Sequence, residues 1–307
     1  MRYLVLGAGA IGGYFGGMLL RGGADLSFLV RPKRAAQLAE RGLVVKAPDG
    51  NIECPVRTML SGAVDGHYDV VLLACKAYDL DNAMEAIAPT LGSESVVLPF
   101  QNGINHISIL VNRFGAHRVL GGKTLANCWL SPEGDVIRRA GNPDQTSFGE
   151  LTGERSMRCE EIRRALAAGG AASTVSENIV GELWAKYSAF VAVATIAALT
   201  RVPGSEIAAT PSGAAFVASI LDECIRVVDA EGYPMPNDTK ERVSRLYAMV
   251  GSPYRPSILD DLDPGRPTEG EHTIGDLVGR ADLHGVAVPI LRAARCNVQV
   301  HEGRLRK

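Results

Sequence analysis

Four short motifs in this chain could do chemistry. Gly7-Ala8-Gly9-Ala10-Ile11-Gly12 fits G-x-G-x-x-G, after an apolar strand and at the opening of a helix. There the first glycine serves a tight turn, the second admits a pyrophosphate and the third lets the helix pack on the sheet. The free N–H groups and dipole of the helix N-terminus favour phosphate. Gly7, Gly9, Ala10, Ile11 and Gly12 are the predicted cofactor contacts. The second motif is Arg31, followed by Pro32, Lys33 and Arg34, where an NAD site would usually carry an acid for the ribose 2′-hydroxyl. A guanidinium can pair with a 2′-phosphate and stack on adenine. Cations at a helix start oppose the dipole, so a bound anion explains them better than solvent does. The expected cofactor is NADPH. The third and fourth motifs are Lys76 and Gln101-Asn102-Gly103, each just after an apolar strand. Ligands bind at the carboxyl ends of strands in open parallel sheets. Lys76 and Asn102 can therefore reach cofactor or substrate, although an Asn-Gly pair is often only a turn.

The elements that must hold these motifs follow from the hydrophobic pattern. Continuous apolar runs at 1–6, 25–30, 69–74 and 95–98 read as buried parallel strands. Helical spacing separates them at 10–21, 33–41 and 80–87. Residues 118–149 carry the turn signals Pro132-Glu133-Gly134-Asp135 and Gly141-Asn142-Pro143-Asp144 between short extended runs. These predict antiparallel strands closing the sheet edge. A helix at 160–168 and a strand at 172–175 follow, and beyond Asn178 the pattern is almost all helical, at 178–199, 212–232, 238–250 and 268–284. The expected fold is α/β, with an N-terminal Rossmann-type doubly wound sheet over 1–175 and a mainly α-helical domain over 176–307 for substrate and dimerisation.

Composition narrows the functional class. The 307 residues carry 32 Lys and Arg against 34 Asp and Glu, a net charge of −2, which argues against a nucleic-acid binder. The six cysteines show no CxxC spacing and no histidine partners. Neither a metal site nor a disulfide framework is expected, and a reducing cytoplasm suits them. The uncharged run from Tyr187 to Thr200 is short of the roughly 20 apolar residues a membrane span needs, so a buried helix and no membrane are expected. The apolar N-terminus is better explained by the glycine loop than by a signal peptide.

Taken together, the motifs resemble the ketopantoate reductase family (2-dehydropantoate 2-reductases), in order and over nearly the whole chain. After the glycine loop, Arg31, Lys76-Ala77 and Gln101-Asn102-Gly103 come Asn178-Ile179, Glu182-Leu183-Trp184 and Lys186. Pro256-Ser257-Ile258-Leu259-Asp260-Asp261, Arg266-Pro267-Thr268-Glu269 and His284-Gly285-Val286-Ala287-Val288-Pro289 complete the set. The resemblance implies NADPH-dependent reduction of a 2-oxo acid, 2-dehydropantoate to pantoate, in a cleft between a Rossmann and a helical domain. A homodimer is compatible with it. It implies Lys186 as the cation at the substrate carbonyl, Glu269 as the partner acid, Ser257 as a donor to the substrate carboxylate, and Asn102 and Lys76 as groups that align cofactor and substrate. Each has a plainer reading. Lys186 could be the polar start of a buried helix, and Ser257 a helix cap. Thr268-Glu269-Gly270-Glu271 fits a capping box with Thr268 as N-cap. His272 and His284 show no partner pattern.

The chain departs from the family at three places. Asparagines typical four and eight residues after the lysine are Phe190 and Ala194, on the same helical face as Lys186, and a third is Ile274. Fewer polar groups then face a hydroxylated substrate. The same chemistry on a more apolar 2-oxo acid, or on another carbonyl or imine, is the alternative. A non-catalytic NADP-binding protein is the third reading.

Overall fold

The computed structural model describes residues 1–63, 66–139, 145–250 and 254–306. It comprises two compact units: Met1–Gln101 with His106–Val180, and Asn102–Asn105 with Gly181–Lys307.

The first unit is built on a parallel sheet of β1 (Arg2–Leu6), β2 (Asp25–Leu29), β5 (Arg57–Met59), β6 (Tyr68–Leu73) and β7 (Leu91–Pro99), in the order β5-β2-β1-β6-β7. Its continuous apolar strands bury both faces, and alternate residues serve opposite cores. Tyr3, Val5, Val70 and Leu72 pack with Tyr14, Phe15 and Met18 of α1 (Ala10–Arg21) and Ile162 of α5 (Met157–Ala168). Leu4, Leu6, Val71 and Leu73 pack with Leu80 and Met84 of α3 (Leu80–Ile87) and Leu110 of α4 (Asn105–Phe114). A period of 2 in a twice-buried strand reads as an unbroken hydrophobic run. From β1 the chain winds one way through α2 (Pro32–Arg41), which follows β2, and the other way from β6 to β7. The switch point at β1 and β6 is where such sheets bind ligands.

The strands expected at 118–149 exist, but they are divided. β9 (Cys128–Leu130) and β10 (Val136–Arg138) form the hairpin of the Pro132–Asp135 turn. They join β3 (Leu43–Lys46) and β4 (Ile52–Cys54) in a separate sheet, β4-β3-β10-β9. This sheet rests on the glycine-rich side of α1, where a methyl on Gly13 would lie 2.7 Å from Val136. β8 (Leu120–Thr124), β11 (Thr146–Glu150) and β12 (Thr174–Val175) make a third sheet, β12-β11-β8, tied to the edge of the main sheet by a bridge between Val97 and Val119. The predicted turn at 141–144 lies outside the described residues.

The second unit contains α6 (Ile179–Thr200), α7 (Gly204–Ala208), α8 (Gly213–Ala230), α9 (Asn237–Leu246), α10 (Ile258–Leu262), α11 (Asp276–Leu283) and α12 (Pro289–Leu305). α6 is long and apolar enough to cross a membrane, yet 72% of its most apolar window is buried inside the protein, so it is a core helix. The helix expected at 268–284 opens instead with a π-helical turn, Glu271–Gly275, that runs into α11. α12 was not expected, although Leu291, Ala294, Val298 and His301 are buried at helical spacing. Its N-terminus is capped from afar: the buried Glu223 carboxylate on α8 accepts the N–H groups of Ile290 (3.0 Å) and Leu291 (2.9 Å).

Candidate active site

β1 delivers the chain into the glycine loop. Gly7 has φ +92°, a conformation that costs a side-chain-bearing residue dearly. A methyl on Gly12 would stand 1.9 Å from the Gly7 carbonyl oxygen, so helix and loop touch backbone to backbone. At Gly9, the N-cap of α1, the added methyl would meet nothing within 4 Å, so that side of the loop is open. The first turn of α1 holds no acid and no capping side chain, leaving its N–H groups to a ligand. Gly7, Gly9, Ala10 and Ile11 are all half-exposed, and Gly12 is buried. This cradle fits the diphosphate of a dinucleotide.

The three basic residues after β2 have three different fates. Arg34 turns inward, its Nε donating to the Ala8 carbonyl at 2.9 Å, and burial lowers its pKa against the pull of Asp135. It braces the phosphate loop, a task the sequence pattern does not reveal. Lys33 is exposed, and Arg31 reaches across to Asp79, Nη2 to Oδ1 at 2.7 Å. Lys76 is exposed at the start of the 3₁₀ turn Ala77–Asp79 that leads into α3. The segment before it is braced by Gln101, only 3% exposed, whose Nε2 donates to the Cys75 carbonyl at 2.9 Å.

In the second unit, residues far apart in sequence meet. The Asn102 amide Nδ2 donates to Glu269 Oε2 at 3.1 Å, and Glu269 is 7% exposed. Gly103 follows with φ +91°, its Cα side closed by the His272 carbonyl 3.1 Å from a would-be methyl. The capping box is not formed as expected. Thr268 Oγ1 accepts the Gly270 N–H (3.2 Å), but the Thr268 N–H goes to Glu302 Oε1 on α12 (2.7 Å). Glu271 pairs instead with Arg295, 3.0 Å away. Ser257 stands at the N-cap of α10, exposed, without a capping hydrogen bond, so the helix makes no use of its hydroxyl.

Lys186 is half-buried on α6, with Phe190 half-buried one turn on and Ala194 1% exposed two turns on. Its neighbour Tyr187 anchors the helix to the π-turn. The buried hydroxyl lies 2.6 Å from Asp276 Oδ2 and 3.1 Å from the Thr273 carbonyl, and burial pushes its pKa well above the ordinary value. Thr273 Oγ1 in turn donates to the Glu269 carbonyl at 2.8 Å. Arg280 links Asp276 (2.9 Å) to Glu231 (3.0 Å) and lies over the ring of Trp184, 4.9 Å from its centroid. His284 is within 3.1 Å of Glu231, so it has the partner its sequence context did not suggest.

Residues 3–153 match the ketopantoate reductase PanE/ApbA family, and residues 178–299 match its C-terminal part, ketopantoate reductase PanE/ApbA C terminal. The chain is 34% identical over 302 residues to the uncharacterized oxidoreductase YkpB of Bacillus subtilis, covering 98% of this chain and 99% of that one. Its fold matches a PanE/ApbA family ketopantoate reductase from Ralstonia eutropha (TM-score 0.90, 25% identity, 100% of both chains). It also matches D-mandelate dehydrogenase bound to NADH and anilino(oxo)acetate, by fold alone (TM-score 0.88, 23% identity, 100% of both chains). With both halves matched, a glycine loop that fits a dinucleotide and a buried acid held by the Asn-Gly loop, this chain is an oxidoreductase acting on CH–OH groups and belongs to the ketopantoate reductase family.

Proposed function

We propose that the protein reduces 2-dehydropantoate to pantoate with NADPH, which would supply the hydride to the carbonyl carbon. The observation that carries this reading is the Asn102–Glu269 hydrogen bond, which joins two family motifs 167 residues apart around a buried carboxylate. Lys186 Nζ, as an ammonium, stabilises the charge that develops on the substrate oxygen and gives that oxygen its proton. Glu269 is the acid beside it, oriented by the Asn102 amide. Ser257 Oγ donates to the substrate carboxylate, and Lys76 and Asn102 hold cofactor and substrate in register. Gly7, Gly9, Ala10, Ile11 and Gly12 hold the diphosphate, and Arg31 meets the 2′-phosphate. The six cysteines are all free thiols, which suits a cytoplasmic enzyme.

A second reading keeps the chemistry and changes the acid. Phe190 lies half-buried on the Lys186 face, and Ala194 and Ile274 are buried apolar residues where the family resemblance places asparagines, which favours a less polar substrate than 2-dehydropantoate. The fold shared with D-mandelate dehydrogenase is in keeping with that reading. Steady-state NADPH oxidation with 2-dehydropantoate, beside branched and aromatic 2-oxo acids, separates the two. A kcat/KM of about 10⁴ M⁻¹s⁻¹ or more on 2-dehydropantoate, above the rest, supports the first. An apolar acid ahead of it supports the second. In either case Lys186→Ala is expected to lower kcat by about 10²–10⁴, and full turnover without the lysine would overturn both.

A further inference from the structure

The pairing of Arg31 with Asp79 bears on which dinucleotide the site prefers. Arg31 is the N-cap of α2, extended (φ −72°, ψ 154°), with Pro32 next and no acid in the first helical turn. Its side chain is 76% exposed, while that of Asp79 is 25% exposed. Asp79 is the N-cap of α3 but makes no capping bond there; its carboxylate is turned to Arg31 instead. The two residues follow β2 and β6, the strands on either side of β1. The pair thus joins the two segments that border the turn leaving β1, where the nucleotide loop begins.

Both chemistries that distinguish the two cofactors are present here, in contact with each other. An arginine after β2 accommodates a 2′-phosphate, whereas a carboxylate accepts a hydrogen bond from a free 2′-hydroxyl. A 2′-phosphate that pairs with Arg31 must either displace Asp79 or sit beside it, dianion against carboxylate. Like charges at such range raise each other's cost, the more so the closer they are and the lower the local dielectric. A free 2′-hydroxyl suffers no such repulsion. An exposed ion pair is also weak enough to open for a ligand.

We infer that Asp79 is a specificity-determining residue that opposes Arg31 and narrows the preference for NADPH over NADH. The inference rests on the reading of Arg31 as the 2′-phosphate partner. It is tested by calorimetric binding of two fragments, 2′,5′-ADP and 5′-AMP, to the wild type, Asp79→Asn, Asp79→Ser and Arg31→Ala, at low and high salt. Both Asp79 variants should bind 2′,5′-ADP about 5- to 20-fold more tightly, with 5′-AMP unchanged or weaker, and the gain should shrink as salt screens the charge. The NADPH/NADH ratio of kcat/KM should rise in parallel. Arg31→Ala should weaken 2′,5′-ADP selectively, and if it does not, the Arg31 reading itself fails. If Arg31→Ala behaves so but both Asp79 variants leave the ratio of the two fragments within twofold of wild type, or shift both fragments equally, the role of Asp79 is overturned while that of Arg31 stands.

Discussion

On the Lys186 face of α6, Phe190 and Ala194 stand where the family resemblance places asparagines. A pocket that bonds a hydroxyl rejects an analogue lacking it far more strongly than an apolar pocket rejects the reverse. Phe190→Asn restores one amide of the polar stripe. It should raise kcat/KM for 2-dehydropantoate relative to an aromatic 2-oxo acid by about tenfold or more, read from paired steady-state assays. An unchanged ratio would mean that this face does not meet the substrate. The places of Arg31, Lys76 and the glycine loop were legible in the sequence, because strand ends and a motif fix position. Asp79 and Arg34 were not, because their roles consist of a partner 48 or 26 residues away. Gln101 stood in plain view inside a motif, but its bond to the Cys75 carbonyl depends on β6 and β7 lying side by side.

At the scale of elements, the π-turn Glu271–Gly275 stands out. Single π-turns inside helices are rare and often accompany function. Here the turn begins two residues after Glu269, and Tyr187, Thr273 and Asp276 hold it against α6. Tyr187→Phe deletes the hydroxyl and keeps the ring. It should cost about 1.5–3 kcal/mol of stability, as for a hydrogen bond to a charged group, seen as a lower denaturation midpoint. It should also lower kcat with little change in cofactor affinity, because Thr273 of the turn holds the Glu269 carbonyl. A fall in stability alone would assign the bond to packing. Sequence patterning found the main strands and the long helices, whose period is repeated over many residues. It merged the π-turn with α11 because a bulge of one residue leaves the apolar spacing nearly intact. It missed β3, β4 and β5 because three or four residues cannot display a period. It missed α12 because the cap that starts this helix, Glu223, comes from α8.

Stability against acid is a property of the whole molecule, and Glu150 with Arg158 is the pair most exposed to that test. Arg158 holds the Glu150 carboxylate through Nε and Nη2, both at 2.6 Å, tying the end of β11 to the first turn of α5. Burial pushes the Glu150 pKa up, but the Arg158 guanidinium and the Ser156 hydroxyl outweigh it, and the net shift is downward. A carboxyl with a depressed folded-state pKa binds more protons when unfolded. Its stabilisation is therefore complete above about pH 4.3, the ordinary glutamate value, and is lost as pH falls through the depressed folded value. Glu150→Gln should be less stable than wild type at pH 7 by about 1–2 kcal/mol, after allowing for the partly exposed arginine. The gap should close on acidification below about pH 4, in urea titrations run across pH. A gap that stays constant would mean that the charge does not matter. At this largest scale the fold class was legible, a parallel α/β sheet followed by a helical part, because the apolar pattern changes from strand runs to helical spacing. The four residues Asn102–Asn105 were not, because their membership of the second unit is a matter of contact and not of composition. The chain therefore passes between the units three times, not once. That has a consequence for heredity and for engineering. A crossover or gene fusion at residue 180 does not exchange a complete module, since the incoming half must recognise an asparagine encoded some eighty codons upstream by the other parent. Chimaeras between relatives should keep Glu269 matched to its partner only when residues 102–105 travel with the C-terminal half.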